Sequence, residues 1–89
     1  MANPIAVFGS INMDLVVYSD SLPAEGETIF GNSFENFLGG KGANQAVAGS
    51  RLGSEVSFVG KIGNDLFGKR LREKLESENV DTELLEEHD

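Results

Sequence analysis

Gly39-Gly40-Lys41-Gly42-Ala43-Asn44-Gln45-Ala46 marks the point where an apolar strand ends and a helix begins. In α/β proteins, ligands bind at such junctions, outside the carboxyl ends of the strands. Glycine lets the backbone approach a ligand closely, and the first amides of a helix have no partner within the helix. Lys41 and Asn44 add side-chain donors for hydroxyl groups or an anion. The stretch therefore predicts a site for a small polar ligand.

Short extended segments precede this junction. Residues 5–8 form a continuous apolar run, which is typical of a strand buried on both faces of a parallel sheet. Three further short segments follow without an intervening helix, at residues 15–18, 27–30 and 34–38. We expect them to pair as antiparallel strands in a small sheet or flap, because no helical crossover separates them.

Helical and extended segments alternate after the junction. Residues 43–52 place small side chains at helical spacing and stop at Gly53, which predicts a helix packed closely on a sheet. Residues 55–59 predict the next strand. Together with the strand at residues 5–8, these segments form a βαβ unit, for which a right-handed crossover is expected.

A second helix is expected after residues 64–65, with Asn64 or Asp65 as its N-cap, and it should end near Asn79. Its apolar positions recur every four residues, at Phe67, Leu71 and Leu75. Residues 80–85 could begin another strand. Such a sheet would keep exposed edges, so we expect residues 1–89 to be the first part of a larger α/β domain and, in isolation, to be unstable and to associate.

Composition excludes several functions. The 89 residues carry a formal net charge of −8 and a sequence pI near 4.4, which argues against binding nucleic acid or an anionic membrane through bulk charge. Cysteine is absent and His88 is the single histidine, so we expect neither disulfides nor a metal site. We expect no signal peptide and no membrane span, and therefore a cytoplasmic protein.

Two phosphate-binding motifs do not fit the junction. A P-loop needs serine or threonine after its lysine, and Gly42 follows Lys41. A dinucleotide fingerprint needs a third glycine where Gln45 stands. A small Rossmann-like module with another ligand therefore remains only as an alternative.

Asp14 and Asn12 follow the first strand closely and allow two interpretations. An ionised carboxylate there could accept charge-assisted hydrogen bonds from two sugar hydroxyls. Equally, both residues could serve only as turn or capping residues. Lys41 could likewise bind a ligand or lie in solvent after a turn.

Four motifs together resemble the amino-terminal part of the ribokinase family. They are Gly9-Ser10-Ile11-Asn12-Met13-Asp14, Pro23-x-x-Gly26-Glu27-Thr28, the junction quoted above, and Gly60-x-x-Gly63-x-Asp65-x-x-Gly68. The resemblance implies an α/β, ribokinase-like fold: a mostly parallel central sheet flanked by helices, with a small β-sheet lid after the first strand. Residues 1–89 would be the amino-terminal part of that single domain, with lid strands at about residues 15–38.

The resemblance also implies site residues. Asn12 and Asp14 would bind sugar hydroxyls from one side, and Gly40, Lys41 and Asn44 from the other. Gly42 and Ala43 would place the loop. No catalytic residue and no metal ligand is expected in these residues.

The reaction implied is transfer of the γ-phosphoryl group of ATP to the 5-hydroxyl of D-ribose or a related pentose. Mg²⁺ and a monovalent cation, K⁺, would assist it, and the lid would join two subunits into a homodimer. The base and the nucleotide pocket of the family lie in a later part of the chain, so residues 1–89 alone are expected to be inactive. The alternative is a non-catalytic truncated product that binds sugar weakly or pairs through its lid strands.

Overall fold

The structure is a computed structural model that describes residues 4–89. Residues 1–3, which bear on the expected absence of a signal peptide, lie outside the described residues. The elements in chain order are β1 (Pro4–Phe8), β2 (Asn12–Tyr18), β3 (Ser33–Gly39), α1 (Lys41–Arg51), β4 (Glu55–Gly63), α2 (Leu66–Ser77), β5 (Val80–Asp81) and β6 (Leu85–His88). None of the helices in this part of the chain has the length and apolar composition needed to cross a membrane.

The main sheet is parallel and centred on β4. β1 pairs with β4 along residues 4–8, with Ile5 opposite Val56. On the other edge of β4, β5 pairs near Val56 and β6 pairs further along, from Gly60. The two helices contact each other at their carboxyl ends, where the side chain of Arg51 in α1 bonds to Glu78 after α2. The expected βαβ arrangement is confirmed.

The core lies between the two helices and β4. It consists of Ala43, Ala46, Val56, Phe58, Ile62, Leu71, Leu75, Val80 and Leu85. Ala43 and Ala46 come from the small-residue face predicted for the first helix, and their size lets α1 lie close to the sheet. Leu71 and Leu75 are buried as expected, but Phe67 remains 41% exposed because it lies in the first turn of α2, away from this core.

A separate antiparallel sheet, here called the hairpin sheet, consists of β2 and β3. Its register runs from Asn12 opposite Gly39 to Tyr18 opposite Ser33. The expectation of a strand at residues 27–30 is wrong. Glu27 instead closes a turn, because its backbone N–H donates to Ala24 O and its carboxylate accepts from Ala24 N. Phe30 is 96% exposed and packs on nothing that the structure describes.

Strand boundaries differ from expectation in two places. β4 continues to Gly63 rather than ending at Gly60, because its last residues pair with β6. The single strand expected at residues 80–85 is two strands. Arg72 donates to the carbonyl of Thr82, which lies between the two strands, and to the carbonyl of Leu85, which begins β6.

β1 is not buried on both faces as expected. It is an edge strand of the described sheet, and Phe8 is 77% exposed. The radius of gyration is 16.1 Å, against about 12 Å for a compact domain of this length. The described residues therefore leave surfaces of the sheet uncovered.

Candidate functional site

The carboxyl end of β1 lies against the first turn of α1. Gly40 is the N-cap of α1, with φ at 98°, a conformation that glycine adopts without steric cost. A Cβ atom built on Gly42 would lie 2.8 Å from the backbone of Gly9. The N–H of Ala43 donates to Ser10 O at 3.0 Å. These contacts place the predicted loop residues Gly40, Gly42 and Ala43 directly beside the residues that follow β1.

Two amides at this helix start are unengaged. Asn44 N donates to Gly40 O in the first helical hydrogen bond, and Ala43 N is taken by Ser10. Among the residues that the structure describes, the N–H groups of Lys41 and Gly42 have no acceptor, and no side chain caps them. Helix α1 therefore presents donors, with the positive end of its dipole, near the end of β1.

Asn12 and Asp14 form a bonded pair at the start of β2. The side-chain amide of Asn12 donates to Oδ1 of Asp14 at 2.7 Å, and both residues are exposed. Two residues apart on one strand, they project from the same face of the hairpin sheet. Gly39 lies opposite Asn12, so the Asn12–Asp14 pair sits next to the glycine junction, residues 39–42.

Lys41 and Asn44 are less closely associated with this pair. Lys41 begins α1 and is exposed, as is Asn44 one turn later. Within residues 4–89, no hydrogen bond joins either side chain to Asn12 or Asp14. Asn44 instead lines an open groove of about 670 Å³ between the two helices, together with Leu38, Val47 and Arg51. The structure thus brings Asn12 and Asp14 to Gly39, whereas the side chains of Lys41 and Asn44 make no hydrogen bond to that pair within the described residues.

An ion pair borders this interhelical groove. Arg51 Nη2 lies 2.5 Å from Glu78 Oε2, and Arg51 Nε donates to the other carboxylate oxygen. The hydrogen bond from Arg51 lowers the pKa of Glu78, and the same bond raises the pKa of Arg51. Both groups are therefore charged at neutral pH, and the pair links the last residue of α1 to the residue that follows α2.

The chemistry available at the junction suits a ligand with several hydroxyl groups. Asp14 offers a carboxylate that accepts hydrogen bonds, while the start of α1 and Lys41 offer donors. Within residues 4–89, no three His, Cys, Asp or Glu side chains converge in a way that could hold a metal ion. The side chains and amides named above are therefore the polar groups that the described residues offer at the junction.

Comparison with known proteins decides the family. The model of the pfkB family carbohydrate kinases matches residues 2–89. The chain belongs to this family. A ribokinase of Bacillus subtilis (strain 168) is 51% identical over 82 residues, which are 92% of this chain and 28% of the relative. A deoxyribokinase of Salmonella typhi is 44% identical over 82 residues, or 92% of this chain and 27% of the relative.

Solved structures agree with this family assignment. The structure of Arabidopsis thaliana ribokinase complexed with ribose and ATP superposes with a TM-score of 0.86 at 40% identity, covering 98% of this chain and 28% of that chain. The expected α/β, ribokinase-like fold is therefore confirmed. This pfkB-family chain spans about a quarter of the length of the curated relatives it matches.

Three residues beside the site belong to motifs quoted from the sequence but were not predicted as site residues. Gly9 and Ser10 hold the start of α1, and Gly39 lies beneath the Asn12–Asp14 pair. A signal existed for two of them, because Gly9 directly follows β1 and Gly39 is the last residue of β3, and both lie within three residues of a candidate ligand residue. Their contacts depend on how distant segments meet, which composition alone does not specify.

Proposed function

We propose that this chain is the amino-terminal part of an ATP-dependent sugar kinase that phosphorylates D-ribose at its 5-hydroxyl. The observation that carries the proposal is the Asn12–Asp14 pair, with its 2.7 Å hydrogen bond, beside the glycine junction at the start of α1. The ribokinase relatives support ribose as the sugar.

In this proposal the sugar lies between the hairpin sheet and the start of α1. Asp14 accepts hydrogen bonds from sugar hydroxyls, and Asn12 uses its remaining polar atoms for the same ligand. Gly40 brings the backbone close, while Lys41 and Asn44 donate from the helix side. Gly42 and Ala43 hold the loop against residues 9–10. Charge-assisted hydrogen bonds of this kind are worth about 1.5–3 kcal/mol each.

We propose that the hairpin sheet acts as a lid over the sugar and joins two subunits into a homodimer. The face of the hairpin sheet opposite to Asn12 and Asp14 carries exposed apolar side chains. They include Leu15, Val17 and Phe34, which are 53%, 61% and 54% exposed. Apolar area of this kind on a two-stranded sheet favours coverage by another protein surface.

ATP and the ions belong to the proposal for the whole protein. ATP with Mg²⁺ supplies the phosphoryl group, and K⁺ assists as the monovalent cation, but no residue in the described part is assigned to them. We therefore propose that residues 1–89 alone are inactive. We also propose a cytoplasmic location, because the cytoplasm supplies ATP.

The first test is the intact mass of the natural gene product. A mass well above 9.6 kDa would support a kinase with its nucleotide half, whereas a mass of 9.6 kDa would favour a non-catalytic product. The natural-length protein would then be assayed with ATP and Mg²⁺ on D-ribose, 2-deoxy-D-ribose and D-fructose. Highest kcat/KM for D-ribose supports the proposal, and turnover confined to another sugar contradicts it.

2-Deoxy-D-ribose is the second candidate substrate, because a deoxyribokinase is among the relatives. The two pentoses differ by one hydroxyl. A site that hydrogen-bonds a hydroxyl disfavours a sugar that lacks it, because buried polar groups are then left unpaired. The ratio of the two kcat/KM values therefore decides between them.

A further inference from the structure

Gly39 is the buried last residue of β3 and lies directly opposite Asn12 in the hairpin sheet. On the face of the sheet that carries Asn12 and Asp14, the position opposite Asn12 has no side chain. Side chains at opposite positions of antiparallel strands normally contact one another. Here the two polar side chains of β2 extend over the bare backbone of β3 instead.

The fit over Gly39 is close. A Cβ atom built on Gly39 would lie 2.5 Å from Asp14 Oδ2 and 2.6 Å from Asn12 Nδ2. Both distances are well inside van der Waals contact. Any side chain at this position would therefore push the carboxylate and the amide away from where they now lie.

A Cβ atom added to either of the neighbouring glycines, Gly40 or Gly42, would collide with backbone rather than with side chains. A Cβ atom on Gly40 would meet the carbonyl oxygen of Ser10 at 2.6 Å, and one on Gly42 would meet the backbone of Gly9 at 2.8 Å. Backbone in the packed loop cannot move without disturbing the fold. Oδ2 of Asp14 and Nδ2 of Asn12 are the ends of exposed side chains, which can rotate at little cost. Gly39 alone of these three makes room for side chains that the proposed ligand would contact.

We propose that Gly39 is a positioning residue for sugar binding. Its missing side chain lets the carboxylate of Asp14 and the amide of Asn12 lie over β3 in their bonded arrangement, with Oδ1 held by Asn12 and Oδ2 above Gly39. This inference rests on the proposed function, because it assigns Gly39 a role in the same sugar site. It also implies that the first glycine of the junction affects ligand affinity more than folding.

The test is Gly39→Ala in the natural-length protein. The KM for D-ribose should rise about tenfold or more, while the KM for ATP and the Tm stay near the wild-type values, since the displaced atoms are side-chain ends. Gly49→Ala, a glycine of α1 whose added Cβ would meet only Val56 Cγ2 at 3.3 Å, is the matched control and should leave both KM values unchanged.

A double variant separates positioning from a general structural effect. If Gly39 acts through Asp14, Gly39→Ala added to Asp14→Asn should raise the KM for D-ribose by much less than it does in the wild type. If the effects of the two substitutions on the KM for D-ribose are additive, the proposal is overturned. An unchanged KM for D-ribose in Gly39→Ala, or failure of Gly39→Ala to fold, would overturn it too. A wild-type enzyme that neither binds nor phosphorylates D-ribose would instead reject the proposed function, and this inference with it.

Discussion

Gly9 and Gly42 lie backbone to backbone where β1 ends and α1 begins. A Cβ atom on Gly9 would lie 2.9 Å from the Cα of Gly42, and one on Gly42 would lie 2.8 Å from the Cα of Gly9. The hydrogen bond from Ala43 N to Ser10 O fixes the same contact. The start of the helix is thereby held at the end of the first strand, beside the proposed sugar site.

Gly42→Ala should destabilise the natural-length protein by about 1–3 kcal/mol, because the added methyl group would collide with backbone that cannot rotate away. Urea unfolding monitored by circular dichroism would measure this change. Gly49→Ala in the same helix is the control, and should cost much less since alanine favours the helix over glycine by about 1 kcal/mol. Equal free energies of unfolding for Gly42→Ala and the wild type would contradict the close approach of the Gly9 and Gly42 backbones.

Asp14→Asn should raise the KM for D-ribose by about 10- to 100-fold, since it converts charge-assisted hydrogen bonds into neutral ones. Steady-state kinetics at saturating ATP would measure it. Glu35→Gln provides the control, because Glu35 lies on the same face of the hairpin sheet, opposite Val16, but farther from the glycine junction. A similar effect of both substitutions would point to general electrostatics rather than direct binding.

Asp65→Ala should destabilise the protein by about 1 kcal/mol through loss of a helix cap. The Asp65 carboxylate accepts a 2.8 Å hydrogen bond from Gly68 N at the start of α2. Asn64→Ala is the matched control, because Asn64 bonds to Asp89 outside the helix and should contribute less. Thermal unfolding of both variants would measure the two losses of stability. A larger loss in Asn64→Ala than in Asp65→Ala would contradict the assignment of Asp65 as the helix cap.

The ion pair of Arg51 and Glu78 should make the stability of the folded protein depend on pH in the acidic range. The hydrogen bond from Arg51 lowers the folded-state pKa of Glu78. The ion pair therefore stabilises the folded protein fully at pH values above the unfolded-state pKa of glutamate, about 4.3. This stabilisation is lost as the pH falls through the folded-state pKa of Glu78. The Tm advantage of the wild type over Glu78→Gln should therefore be small at pH 7 and shrink further on acidification. An advantage that grows on acidification would contradict this sign.

Residues 1–89 expressed alone should associate and unfold without a sharp transition. Exposed apolar side chains in the described chain include Phe8, Leu22, Phe30 and Leu52, each more than three-quarters exposed. Size-exclusion chromatography with light scattering, followed by thermal unfolding, would test this. A monomer with one cooperative transition would show that the uncovered surfaces are tolerated.

Sequence patterns predicted the elements whose determinants are local. The helix containing Leu71 and Leu75, its cap at residues 64–65, and the small-residue helix containing Ala46 all follow from neighbouring residues. The expected strand at residues 27–30 failed because Glu27 forms a turn with Ala24, and strand-forming residue types do not reveal such a bond. Phe8 was expected to be buried, but burial depends on which surfaces cover the sheet.

The sequence named the candidate site residues, whose role stays a prediction, but it did not specify how they are arranged. Asn12 and Asp14 were expected near the end of the first strand, yet the structure places them within β2, bonded to each other. The register that sets Gly39 opposite Asn12 joins positions far apart in sequence, so no local pattern specifies it. The same long-range packing leaves Asn44 facing the interhelical groove.

The position of Asn12 and Asp14 at the base of the hairpin sheet has a mechanical consequence. From Asn12 to Tyr18 the strand extends about 20 Å, and a rotation of about 5° at its base would displace the far end by about 2 Å. If the hairpin sheet rotated as a rigid unit about this end, the proposed sugar site would lie near the axis of rotation. A small rotation around a bound sugar would then displace the far end of the sheet more than it displaces Asn12, and would change how that end packs against a neighbouring surface.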